Sequence, residues 1–192
     1  MDGLAIFSAL HSASLEALAA DAMVAIPAGL TFPLKKSWGE EYCFRILDEA
    51  QRGDGLAFVI LHDDSAAGCV RFFNVTDDGL SAELGIWLAR RYQRKGRGSY
   101  AVAGLLVHAL VRWPLRRIYA RCLVGNAAGQ AFLGSLGFSR DDAWLAAERH
   151  LLHTHIIGYC AGPETIRELA HHYDDRRPRW IKYRTQINLL ST

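Results

Sequence analysis

Hydrophobic and polar positions change period several times along the chain. Residues 13–23 set small and apolar groups at helical spacing, and Lys36–Arg52 does so again until Gly53 interrupts it; both stretches predict helices. Leu56-Ala57-Phe58-Val59-Ile60-Leu61 is a short continuous apolar run, the pattern of a strand buried on both faces. His62-Asp63-Asp64 predicts a turn, Cys69–Val75 the next strand, and Thr76-Asp77-Asp78-Gly79 a second turn. Ser81–Leu88 alternates with period two. Ala82, Leu84, Ile86 and Leu88 share one face; Glu83, Gly85 and Trp87 share the other. Strands joined by such short turns predict an antiparallel meander.

A long helix follows from near Gly98. Val102, Leu105, Leu106, Ala109, Leu110 and Trp113 keep the spacing of a buried stripe until Pro114. Arg117–Val124 predicts a strand, and Asn126–Leu136 a helix closed by Gly137. A strand reached through a helical crossover pairs in parallel. His150–Tyr159 predicts the last strand of the main unit. The expected fold is therefore α/β of the α+β kind, a mixed, mostly antiparallel sheet flanked by helices, over residues 1–159. Residues 160–192 form an expected extension: Pro163 opens a short helix over Glu164–His172, and the tail then alternates again. Ile181, Tyr183, Ile187 and Leu189 lie on one face, with Lys182, Arg184, Gln186 and Asn188 on the other. Such an edge needs cover, so the extension is expected to pack on its own domain or on a second copy in a homodimer.

A chain of 192 residues buries about two thirds of its unfolded surface and needs no staples. Its formal net charge of +2 is too small for a general nucleic-acid or membrane binder. Cys43, Cys69, Cys122 and Cys160 show no CxxC spacing, which favours free thiols in a reducing compartment. The first residues lack the basic start of a secretory signal, and no apolar run reaches the ~18 residues of a membrane span. The cytoplasm is the expected location.

Charge is concentrated locally, in Arg90-Arg91-Tyr92-Gln93-Arg94-Lys95-Gly96-Arg97-Gly98-Ser99, between a strand and the long helix. Gly96 and Gly98 permit a tight turn and close approach to a ligand. The helix start adds unpaired N–H groups and a partial positive charge. Together these make a pyrophosphate site, and Arg or Lys can reach an outlying phosphate. No Lys-Ser/Thr follows the glycines and a third glycine is missing, so neither the Walker loop nor the dinucleotide fingerprint fits.

Gln93-x-x-Gly96-x-Gly98 resembles motif A of the GNAT acetyltransferases, Q/R-x-x-G-x-G/A, which binds the pyrophosphate of coenzyme A. Asn126, a short helix and Gly137-Phe138 resemble motif B. Glu83-Leu84-Gly85-Ile86-Trp87-Leu88 is similar to the corresponding strand of the ribosomal-protein N-terminal acetyltransferase (Rim) subgroup. The resemblance spans roughly residues 5–158. It implies the GNAT fold, with a bulged fourth strand splayed from the fifth, and acetyl-CoA as cosubstrate. It also implies transfer by direct attack of a primary amine, either a protein N-terminus or a small molecule. A coenzyme A binding module without transfer activity is the alternative reading.

The resemblance places Ile86, Trp87 and Leu88 beside the thioester, with the Leu88 N–H donating to the developing oxyanion. It gives the pyrophosphate to Gln93, Arg94, Lys95, Gly96, Arg97, Gly98 and Ser99. Asn126 would touch the pantetheine arm, or cap its helix, or both. Near pH 7 about a tenth of an α-amino group is neutral, against about 0.04% of a lysine, so a general base helps; Glu83 is the candidate. The family's motif B tyrosine is replaced by Leu133, preceded by Phe132, and Gly129 stands where the Rim subgroup often has serine. The acid for the leaving thiolate is therefore unassigned. Cys122 is read as packing and no metal is expected, although His150, His153 and His155 cluster. Trp38, Trp87 and Trp144 are read as acceptor-site or core residues.

Overall fold

Among the described residues, seven strands build one sheet: β1 (Gly3–Ile6), β2 (Leu56–His62), β3 (Ser65–Phe73), β4 (Ser81–Leu88), β5 (Arg117–Leu123), β6 (Ser139–Arg140) and β7 (Ile156–Ala161). Their spatial order is β1-β2-β3-β4-β5-β7-β6. Only β4 and β5 pair in parallel; the other neighbours are antiparallel. The helices are α1 (Ser12–Ala19), α2 (Ala22–Ala25), α3 (Trp38–Arg52), α4 (Arg97–Ala109), α5 (Ala127–Ser135), α6 (Asp142–Ala147) and α7 (Pro163–Asp174). This is a computed structural model, and it describes residues 3–147 and 155–174.

The period-two pattern of β4 sorts into two cores. Ala82, Leu84 and Leu88 join Phe58, Phe72, Leu105, Leu106 and Ile118 beneath α4. Trp87 points the other way, into a core made with Leu15, Trp38, Tyr42 and Ile46 of α1 and α3. There the Trp87 indole N–H donates to the Tyr42 hydroxyl at 3.0 Å, and Trp38 stacks on Tyr42 with centroids 4.5 Å apart. Burial pushes the Tyr42 phenol well above its ordinary range and the Cys69 thiol up to about 12. Trp38 and Trp87 are thus core residues; the half-buried Trp144 of α6 stacks on Tyr119 at 4.5 Å.

Several boundaries move from their expected places. The short strand β1 escapes the pattern because four residues hold too little alternation. Strand β3 begins at Ser65, since Asp63 and Asp64 both take left-handed backbone and close a two-residue hairpin that pairs His62 with Ser65. Its start, Ser65-Ala66-Ala67-Gly68, is too small and polar to announce a strand. The bulge expected in β4 falls instead in β3, where Ile60 faces Gly68 and Leu61 faces Ala66. Helix α4 ends at Ala109, whose carbonyl accepts from the N–H groups of both Arg112 and Trp113 in a closing turn. The residue before a proline resists helical backbone, so the helix stops short of Trp113, which still packs against the larger core and on Gly79.

Strand β7 starts at Ile156 and runs to Ala161, through the expected division at 159/160. Helix α7 follows, with Ile166 1% exposed in the core beneath α4. The alternating tail over 181–189, His150 and His153 lie outside the described residues. Phe72, 1% exposed at the centre of the larger core, gives a test of this packing. Phe72→Ala should lower unfolding free energy by about 3–5 kcal/mol, measured by urea denaturation.

Candidate active site

The backbone of β4 carries the first element of the site. The Ala89 N–H donates to the Ala67 carbonyl at 2.9 Å, so alternate residues back along the strand, Trp87 and Gly85, also bond β3. Leu84, Ile86 and Leu88 therefore turn their N–H and carbonyl groups toward β5. The parallel ladder, however, stops at Leu84 and Ala120. From there β4 stays with β3 as far as Leu88, while β5 follows β7 through Cys122 and Leu123. The sheet forks, and Ile86 and Leu88 face the opening. Trp87, grouped with them in sequence, has its backbone on β3 and its indole in a core.

The basic loop closes the upper end of the fork. Gln93 folds back, its amide donating to the Leu88 carbonyl at 2.8 Å and its N–H to the Arg90 carbonyl at 3.2 Å. Gln93 thus fastens the loop to the strand, which fixes where the Leu88 N–H points. Arg94 and Gly96 take positive φ, 58° and 73°, and reverse the chain into α4. The first intrahelical bond is Tyr100 N–H to Gly96 O, 3.1 Å. The N–H groups of Arg97, Gly98 and Ser99 thus precede the helical ladder and form its positive end. Gln93, Arg94, Lys95, Gly96 and Ser99 are exposed. Arg97 turns inward, one guanidinium nitrogen 2.9 Å from His62 Nδ1, a strut that the loop sequence does not announce.

Helix α5 braces the fork. A Cβ on Gly98 would lie 3.0 Å from the Phe132 ring and 3.8 Å from Ile86, so the glycine admits close packing of α5, α4 and β4. Asn126 caps α5 by accepting from the Gly129 N–H at 2.9 Å. Its amide also donates to the Pro27 carbonyl at 3.3 Å, in the segment after α2. Beside the end of β4 a cleft of about 550 Å³ is lined by Leu18, Asp21, Val24, Ala89, Arg90 and Arg91.

On the opposite face of the sheet, Glu83 is 4% exposed. Its Oε1 accepts from Asn74 Nδ2 at 2.8 Å and Arg121 Nη2 at 2.5 Å. Its Oε2 is buried and takes no hydrogen bond. Local pattern could not have found Arg121, which meets Glu83 across 38 positions through the strand order; Asn74 stands only nine positions away, across the β3–β4 hairpin.

Residues 6–139 match the family model described as an acetyltransferase (GNAT) domain, well over half of the chain. The chain belongs to the GNAT acetyltransferase family. It is 33% identical to the ribosomal-protein-serine acetyltransferase of Escherichia coli over 98 residues, 51% of this chain and 55% of that one. The aligned stretch spans little more than half the length of the two relatives matched. The fold is similar to that of RimJ from Mycobacterium smegmatis in complex with a coenzyme A disulfide. That likeness has a TM-score of 0.68 at 21% identity, over 90% of this chain and 88% of the other. It is also similar to a spermidine N-acetyltransferase from Vibrio cholerae in complex with coenzyme A and spermine. There the TM-score is 0.69 at 15% identity, over 86% of this chain and 97% of the other.

Within this GNAT fold, Gly129 has a local explanation. A Cβ there would come within 2.5 Å of the Asn126 amide nitrogen and 3.0 Å of Cys122 Sγ. Leu133 is 5% exposed and belongs to the larger core. The two functions of Asn126 separate by substitution. Asn126→Ala should cost about 1 kcal/mol through the lost cap, whereas Asn126→Asp keeps the cap acceptor and most of that stability. Chemical denaturation of the two variants compares them.

Proposed function

We propose that this protein is an acetyl-CoA dependent N-acetyltransferase of the cytoplasm, acetylating a primary amine by direct attack on the thioester. The observation that carries the reading is the fork. It offers the unpaired β4 edge and the α4 N-terminus on one side, and on the other a buried carboxylate oxygen of Glu83 that takes no hydrogen bond. Acetyl-CoA supplies the activated acetyl group. Its extended pantetheine arm suits an edge where Ile86 and Leu88 lack a β5 partner, and its pyrophosphate suits the Gly98 and Ser99 N–H groups. Arg94 and Lys95, exposed on the same loop, supply charge for the phosphates.

In the reaction, Leu88 donates its N–H to the carbonyl oxygen as negative charge develops there. Five strand residues, about 16 Å, separate Glu83 from Leu88, so the amine proton reaches Glu83 Oε2 through water while Asn74 and Arg121 hold Oε1. The new C–N bond forms as the C–S bond breaks, and the thiol's reference pKa, near 8.5, makes the thiolate a fair leaving group. Direct attack fits Cys122 better than a covalent route does. Its thiol is pushed up by burial and lies 3.7 Å from the Asn126 carbonyl, so little thiolate is available. The E. coli relative, named for a ribosomal-protein serine, supports a protein as the acceptor. Among the described residues no helix is long and apolar enough to cross a membrane.

Two substitutions test the two sides. Gly96 has open space around it but sits at φ 73°, so Gly96→Val strains the backbone without a clash. A strain of about 1–2 kcal/mol should weaken coenzyme A binding roughly tenfold in calorimetry. A wild-type chain that binds no coenzyme A would remove the proposal. Glu83→Gln should lower turnover by about 10² with acetyl-CoA affinity unchanged; equal turnover at every pH would remove Glu83 from the mechanism.

A further inference from the structure

The buried carboxylate of Glu83 is held on one side only. Both of its donors, Asn74 Nδ2 and Arg121 Nη2, reach Oε1, and Oε2 is enclosed with no donor. An unmet buried oxygen is costly; Nε of the paired Arg121 is likewise buried without an acceptor, so both partners keep polar capacity that an incoming group can use. Arg121 sets this arrangement. The last β4–β5 pair is Leu84 with Ala120, so Arg121 is the first β5 residue past the ladder. Because Glu83 stands opposite Tyr119, residue 121 shares its face of the sheet. Arg121 thus leans back across the vertex of the fork.

The guanidinium is itself confined. Its carbon lies 5.4 Å from the centroid of the Trp144 ring, and Trp144 stacks on Tyr119 at 4.5 Å and 10°. The Arg121 side chain is 26% exposed and that of Glu83 6%. The other charged pair on this face, Arg71 from β3 with Glu49 from α3 at 2.8 Å, is self-compensated.

We infer that Arg121, braced by Trp144, is a positioning residue for the acceptor: it pins Oε1 of Glu83 so that Oε2 receives a proton from the incoming amine. Resting on the transferase reading above, this adds a residue that the family motifs do not contain. Arg121 touches neither acetyl group nor amine. It keeps the carboxylate compensated and aimed, a duty of charge as much as of shape. Losing the guanidinium leaves a buried carboxylate without its charged partner and free to turn.

The probes are acetyl-CoA with a peptide bearing an N-terminal serine, and the Trp144 indole N–H signal in NMR. Arg121→Met should lower kcat/KM for the peptide by about 10² and alter its pH profile, with coenzyme A affinity unchanged. Arg121→Lys, which keeps the charge, should recover a large part of both. Adding the peptide to coenzyme A-loaded protein should shift the Trp144 signal in the wild type and in Arg121→Lys, but not in Arg121→Met. A wild-type rate and pH profile in Arg121→Met overturns the positioning role and leaves the transferase reading standing. A peptide-dependent Trp144 shift that needs Arg121, without any acetyl transfer, does the reverse. A wild-type protein that neither binds nor acetylates the peptide overturns both, and a loss in Arg121→Met accompanied by lost coenzyme A affinity reduces Arg121 to a structural pair.

Discussion

The site depends on one mismatch of backbone pairing. Strand β4 is held by β3 to its last residue, and β5 is held by β7 to its own, while the parallel ladder between them ends at Leu84 and Ala120. A backbone N–H or carbonyl left without a partner inside a fold is costly. The fork therefore exists only because other contacts over-determine it. Phe132 seated on Gly98, Asn126 bonded to Pro27 and the Glu83–Arg121 pair at the vertex each join the two halves of the sheet. What remains at Ile86 and Leu88 is an edge that an extended ligand can complete as an added strand would.

The two faces of β4 have separate duties. Its even-numbered side chains pack beneath α4, and that helix begins with the loop that Gln93 ties to Leu88. Its odd-numbered side chains carry Trp87 into a second core and Glu83 to the far face. A ligand in the fork can thus be approached from the opposite side of the sheet. Gly85, between Glu83 and Trp87, is covered on that face by Phe73 and Arg71, which a Cβ there would meet at 3.2 and 3.5 Å.

Local pattern revealed what local physics determines. The alternation of Ser81–Leu88, the glycines opening α4, the cap at Asn126 and the stop at Gly53 all depend on neighbours within a few positions. Each has its counterpart in the structure, Gly53 with φ 83° at the end of α3. Long-range partners did not show. Arg121 meets Glu83 across 38 positions and Arg97 meets His62 across 35, and strand order alone brings them together. Trp87 was legible as facing away from Ile86, but its partner Tyr42, 45 positions earlier, decides that it is core. Gln93 adds another case: a polar residue within a phosphate-loop motif spends its side chain on the strand behind it.

The departures from the family's motif B become intelligible together. Asn126 is engaged twice, by the Gly129 N–H and by Pro27, and that placement leaves no room for a Cβ at residue 129. A serine there would have to displace the amide that bridges α5 to the segment after α2. Leu133, one turn further on, is locked into the core, and Phe132 is pressed on Gly98. The helix that could carry an acid is thus committed to bracing the fork. The polar groups assembled at the vertex, Glu83, Arg121 and Asn74, stand instead on the face away from α4. In a transferase built this way, proton management falls on the amine, whose reference pKa of about 8–10.4 makes deprotonation the harder demand at neutral pH.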